Sequence, residues 1–128
     1  MNYIIDTYAW IEYFIGSKKG EVLKKLFSDE KNNFFTIACS LAEIRSWALM
    51  NDEDFDKLYK IMQANSTIID VTQNNWIETG RERFKQRRSQ KDFGMIDAIL
   101  LVKQKESNSK LITGDKHFKI MKDVIFLE

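Results

Sequence analysis

Asn2-Tyr3-Ile4-Ile5-Asp6-Thr7-Tyr8-Ala9-Trp10-Ile11-Glu12-Tyr13-Phe14 carries the first decision about the fold. Asn2 to Ile5 is a short run suited to a buried strand, and Thr7 to Phe14 then opens a helix that breaks at Gly16. The alternation repeats downstream. Val22, Leu23, Leu26 and Phe27 stand at helical spacing within Gly20 to Phe27, and Asn33 to Ile37 is β-like. Leu41 to Leu49 then places Leu41, Ile44, Trp47 and Ala48 on one helix face. The sequence predicts a helix over Asp54 to Gln63, a strand over Thr67 to Val71, and a helix capped by Thr72 that carries Trp76, Ile77 and Phe84. A last helix spans Met95 to about Lys105, and strands at Lys110 to Thr113 and Val124 to Phe126 finish the sheet. Strands alternating with helices imply an α/β three-layer sandwich with a mostly parallel central sheet.

Composition narrows the class. With 128 residues, 44% hydrophobic and 30% charged, the chain matches ordinary globular proteins and reads as a single domain over residues 1–128. It has no proline, five glycines, and neither repeat nor low-complexity tract, so no linker is expected. Asp6 and Glu12 interrupt the apolar N-terminus and no basic segment precedes it, so neither a signal peptide nor a membrane span is expected, and a cytoplasmic location is. Cys39 is the sole cysteine and is expected to be a small buried thiol without function.

In a parallel sheet of this kind ligands gather at the carboxyl ends of the strands. Four acids fall there. Asp6 ends the first strand, Asp115 follows the strand ending near Thr113, and Glu43 sits in the first turn of a helix that follows a strand. Asp97 also lies in a first turn, although no strand directly precedes its helix. Converging carboxylates repel one another unless a cation neutralises them, and Mg²⁺ or Mn²⁺ is the natural occupant of an oxygen-rich site. Such an ion activates water and polarises a phosphoryl oxygen, so phosphodiester hydrolysis needs no protein nucleophile. With one histidine, His117, and one cysteine, a Ser-His-Asp or Cys-His arrangement could only be built around that single imidazole, and a zinc site of the Cys/His type lacks ligands.

Each acid also has a bland explanation. Ser40 and Glu43 fit a capping box, Asp97 suits a helix N-terminus, and Asp115 in Thr-Gly-Asp-Lys fits a turn. Only Asp6 has no obvious structural use. Asp92 competes with Asp97, which is preferred because it lies inside the helix and is followed by Ala-Ile-Leu-Leu. The net charge of +1 hides a basic run, Arg81, Arg83, Lys85, Arg87, Arg88 and Lys91, which is either a solvated helix face or a phosphate-binding surface. Trp10, Phe14 and Trp47 read as core residues more readily than as the lining of a groove.

Ile-Ile-Asp-Thr-Tyr-Ala-Trp-Ile, Ser-Leu-Ala-Glu-Ile, Met-Ile-Asp-Ala-Ile-Leu-Leu and Leu-Ile-Thr-Gly-Asp-Lys-His-Phe, in this order, resemble the PIN-domain ribonucleases. The small size resembles a VapC-type toxin. The resemblance implies an endoribonuclease in which Asp6, Glu43, Asp97 and Asp115 bind Mg²⁺ or Mn²⁺ and Thr113 assists beside the metal or its water. It implies RNA as substrate, with Arg81, Arg83, Arg87, Arg88 and Lys91 as candidate RNA contacts, and a homodimer partnered by an antitoxin. Many relatives carry an acid two residues after the last Asp, where this chain has His117, which is expected to be a surface or structural histidine. The alternatives are a PIN nuclease of RNA processing, a silent protein-binding PIN module, and a phosphatase using Asp6 as nucleophile. The phosphatase pattern wants a second Asp two positions on, where this chain has Tyr8.

Overall fold

A computed structural model describes residues 1–128. Five strands, β1 (Asn2–Ile5), β2 (Asn33–Ile37), β3 (Thr67–Ile69), β4 (Lys110–Thr113) and β5 (Val124–Phe126), form one sheet in the order β3-β2-β1-β4-β5. Every pairing is parallel, which goes beyond the mostly parallel sheet expected. β1 is central, with Ile4 in register with Phe35 of β2 and with Leu111 of β4. The chain adds β2 and β3 on one side of β1, then crosses to add β4 and β5 on the other. This reversal makes the carboxyl ends of β1 and β4 the place for a ligand crevice.

The six helices are α1 (Thr7–Phe14), α2 (Gly20–Phe27), α3 (Cys39–Met50), α4 (Phe55–Asn65), α5 (Gln73–Gln86) and α6 (Met95–Ser107). Alternation along the strands sorts side chains to two faces. Tyr3, Ile5, Phe34 and Ile112 meet Trp10, Leu23, Ile44 and Met62 from α1 to α4. Ile4, Ile37 and Leu111 meet Phe93, Ile99, Leu100 and Phe118 on the opposite face. The three-layer sandwich is therefore as expected.

Some boundaries differ. β3 stops at Ile69 because its last partner is Ile37, where β2 itself ends, so Asp70 and Val71 have nothing to pair with. α3 begins at Cys39, since Ala38 already has helical backbone angles. Thr72 caps α5 as expected, in a reciprocal box with Asn75. Trp10 is wholly buried, stacks on Phe14 and donates its indole N–H to Thr36 Oγ1 at 3.0 Å, so it is core and lines no groove. Phe14 and Trp47 are half-buried against the same core. Cys39 is half-buried rather than buried, and burial followed by the Glu43 charge pushes its thiol up to about 11, which keeps it an unreactive thiol.

Candidate active site

Asp6 leaves the end of β1 and caps α1, its Oδ1 accepting the Ala9 N–H at 2.9 Å. The expectation that Asp6 has no structural use is thus corrected: an Asp at the strand-to-helix corner satisfies one of the free N–H groups of the first turn. The cap does not explain its burial. Only 5% of Asp6 is exposed. Burial pushes its carboxyl up to about 7; hydrogen bonds from Thr113 and Ala9 oppose the rise, and the charges of Asp115 and Glu43 add to it.

Glu43 reaches the same place from α3. The Ser40 capping box does not form, because the helix starts at Cys39 with Ala38 as its cap, which leaves Ser40 buried inside it and carries Glu43 past the first turn expected for it. Glu43 Oε1 instead accepts the Thr7 hydroxyl at 2.8 Å, a contact with α1 that nothing in the spacing of the two residues signals. Asp97 approaches from α6, which follows α5 through the segment 87–94 with no strand between. Its Oδ2 accepts the Gly94 N–H at 3.0 Å, so the helix-start reading also holds, while burial lifts its carboxyl above the usual range and Asp115 adds to the rise.

Asp115 lies two residues past the end of β4 and caps a 3₁₀ turn over Lys116–Phe118, accepting the His117 N–H at 2.9 Å. Its own N–H is held by Thr113 Oγ1 at 3.0 Å, and Thr113 is fully buried beneath the site. Asp6, Glu43, Asp97 and Asp115, with Tyr8 and Ile96, line one cleft of about 340 Å³. The Tyr8 ring packs closely against Gly114, where an added Cβ would overlap it, so the bare glycine lets the ring take this place in the cleft wall. Each carboxylate is held through one oxygen by a neighbouring donor, leaving further lone pairs on every group for a ligand.

His117 is not an ordinary surface side chain. Its Nε2 lies 3.1 Å from Asp92 Oδ1, and its Nδ1 lies 3.0 Å from Asp97 Oδ2 and 3.1 Å from Asp115 Oδ1. Nδ1 is buried, yet neither flanking oxygen is in line for a hydrogen bond with it. Burial lowers the imidazole pKa, but the Asp92 hydrogen bond and the charges of Asp115 and Asp97 outweigh it and raise it overall. Asp92 is exposed, and its hydrogen bond with His117 holds its own carboxyl below the usual range. The 3₁₀ turn folds His117 back over the start of α6, a bend that local composition does not announce.

The basic run is divided by the fold. Arg87 donates Nε to the Phe93 carbonyl at 2.8 Å and so ties α5 to the segment before α6. Arg83 is half-buried, Arg88 lies over the Phe84 ring, and Arg81 is exposed 3.9 Å from Glu78. Lys91 is exposed beside Asp92. Asp97, Asp115 and His117 bring one ligand atom each within 4.8 Å of the others, while Asp6 and Glu43 share the cleft outside that group; hard oxygen donors beside a partnerless buried nitrogen fit a divalent cation.

The sequence profile of the PIN domain matches residues 3–124. The chain belongs to the PIN domain family. This PIN domain is similar in fold to a toxin–antitoxin complex from Klebsiella pneumoniae (19% identity, 98% of both chains, TM-score 0.71). It is also similar to VapBC2 from Rickettsia felis bound to a DNA fragment from its promoter (18% identity, 98% of this chain and 97% of that one, TM-score 0.74). VapC20 of Mycobacterium tuberculosis, described as a toxin cleaving the sarcin–ricin loop, shares 13% identity over 85% of this chain and 86% of its own, with TM-score 0.67. At these identities the likeness shows the fold. No curated protein matches this PIN domain. None of its helices is long and apolar enough to cross a membrane.

Proposed function

We propose that this PIN domain is a Mg²⁺- or Mn²⁺-dependent endoribonuclease and the toxin of a type II toxin–antitoxin pair. The observation that carries the reading is the convergence of Asp6, Glu43, Asp97 and Asp115, from four separate elements, on one cleft with Asp6 buried among them. These four residues would hold the cation, whose charge polarises a phosphate and activates a water when bound. Thr113 steadies the Asp6 carboxylate by hydrogen bonding and fixes the Asp115 backbone. Thr7 orients Glu43, and the Gly94 N–H orients Asp97. Tyr8 and Ile96 give the cleft an apolar wall beside the carboxylates.

The test is cleavage of RNA by the purified chain with and without a chelator. Cleavage is expected with Mg²⁺ or Mn²⁺ and is expected to stop in excess EDTA. Cleavage that persists in EDTA overturns the reading, as does turnover of small phosphomonoesters while RNA survives.

Arg81, Arg88 and Lys91 leave their charges accessible, whereas Arg87 has a structural bond to keep and Arg83 is half-buried. Replacing Arg81, Arg88 and Lys91 by Ala is expected to weaken RNA binding and to flatten its salt dependence by roughly 0.7 for each phosphate no longer neutralised. Equal slopes of log K against log salt for variant and wild type would retire this surface. Protein partners, a second copy and an antitoxin, are supported by apolar side chains left in water: Leu49 and Met50 on α3, and Trp76, Ile77 and Phe84 on α5. A cytoplasmic location fits a protein that acts on cellular RNA.

A further inference from the structure

We infer that His117 is a nitrogen ligand of the divalent cation, through Nδ1 beside Asp97 and Asp115, and that it makes this centre favour Mn²⁺ over Mg²⁺; the inference rests on the metal reading above. One donor atom each from Asp97, Asp115 and His117 lies within 4.8 Å of the other two. The separations of Nδ1 from the two carboxylate oxygens, 3.0 and 3.1 Å, match neighbouring positions around one ion. Two donors about 2.1 Å from an octahedral ion and at right angles to it are roughly 3.0 Å apart.

The other ring nitrogen supplies the second argument. Nε2 faces Asp92 Oδ1 at 3.1 Å, an arrangement in which Nε2 carries the proton and donates it to the carboxylate. With Nε2 so engaged, Nδ1 is the nitrogen left for a ligand, directed between two carboxylate oxygens and without a hydrogen-bond partner. Three facing lone pairs repel unless something positive stands among them. A metal-bound histidine backed by a carboxylate has this form, and the backing fixes both ring orientation and basicity. Asp92, which is not a ligand in this arrangement, becomes a positioning residue.

The chemistry of the donor set then sets the choice of ion. Mg²⁺ takes oxygen ligands and dehydrates reluctantly, whereas first-row transition ions accept imidazole nitrogen readily. A centre of carboxylates plus one imidazole loses selectivity for Mg²⁺ and gains affinity for Mn²⁺.

Spin-echo spectroscopy of the full chain loaded with Mn²⁺ reads this directly, because His117 is the only histidine and any imidazole ¹⁴N coupling must come from it. The coupling is expected in wild type and absent in His117→Asp. Calorimetry with Mn²⁺ and Mg²⁺ as separate probes is expected to show the preference for Mn²⁺ falling about tenfold in His117→Asp. Asp92→Asn, at an exposed position that cannot threaten the fold, is expected to weaken Mn²⁺ binding about tenfold while keeping the ¹⁴N signal. Mn²⁺ that binds with no imidazole coupling overturns the inference and leaves the carboxylate centre standing. An unchanged Mn²⁺-to-Mg²⁺ ratio in a folded His117→Asp also overturns it. No Mn²⁺ binding at all overturns both this inference and the metal reading beneath it.

Discussion

Asp6→Asn is expected to cut RNA cleavage by roughly 100-fold or more while making the metal-free protein more stable at neutral pH. Asn retains a side-chain oxygen for the Ala9 N–H and is as good an N-cap as Asp, so α1 keeps its start. What disappears is a buried negative charge. The Asp6 carboxyl stands at about 7 in the folded chain against 3.8 in the unfolded one. Between these values the native state keeps a proton that the unfolded state gives up, so the stability of metal-free wild type falls as pH rises from about 4 to about 7. Below that window the full stability is present, and above it the whole penalty is incurred. A shift of this size amounts to about 2 to 4 kcal/mol, discounted for coupling to Asp115 and Glu43.

Melting curves in EDTA from pH 4 to 8 test this directly. Wild type should lose melting temperature across the window while the Asn variant loses much less, and added Mn²⁺ should restore wild type alone. Parallel curves for the two proteins would show that Asp6 carries no strain.

Gly20→Ala is expected to destabilise the fold by about 2 kcal/mol, lowering the melting temperature by several degrees. Gly20 opens α2 where that helix crosses α1, and a Cβ there would lie 2.7 Å from the Glu12 carbonyl carbon and 2.8 Å from Tyr13 Cα. Those are backbone atoms, so α1 itself would have to move, and α1 carries the Asp6 cap and Tyr8. The better helix propensity of Ala returns only about 1 kcal/mol. Gly80 is the control. A Cβ there meets nothing within 4 Å, in the middle of α5, so Gly80→Ala should stabilise by about 0.5 to 1 kcal/mol. If both variants melt alike, α1 and α2 approach less tightly than these distances require.

The strands are legible in the sequence because their side chains are mostly β-branched or aromatic, those of β1 and β4 largely buried, and because Asp6, Asp97 and Asp115 sit near a strand end or a helix start. The β-like run of β3 continues to Val71, but the strand is cut short by the length of its partner β2, which is a tertiary fact. The Ser40–Glu43 pattern misleads for a related reason: a capping box depends on where the helix begins, and the tertiary position of Ala38 moves that start upstream. Asp97 falls in a first turn without any strand to locate it, and its position becomes intelligible only from the packing of α6 across β1 and β4. His117 reads as peripheral because its neighbours Asp92 and Asp97 arrive through the α5–α6 connection, whose course no periodicity describes. Arg87 looks like part of a charged face, and its bond to the Phe93 carbonyl depends on that same connection.

β1 and β4 lie side by side although they come from opposite ends of the chain. During synthesis the first three strands and α1 to α5 leave the ribosome before β4 does, and until β4 docks against β1 the Asp115 turn has no place beside Asp6. Pairings this distant in sequence form late. If the cleft cuts RNA as proposed, a half-made chain is harmless to the RNA that surrounds it, including the message being read and the ribosome reading it.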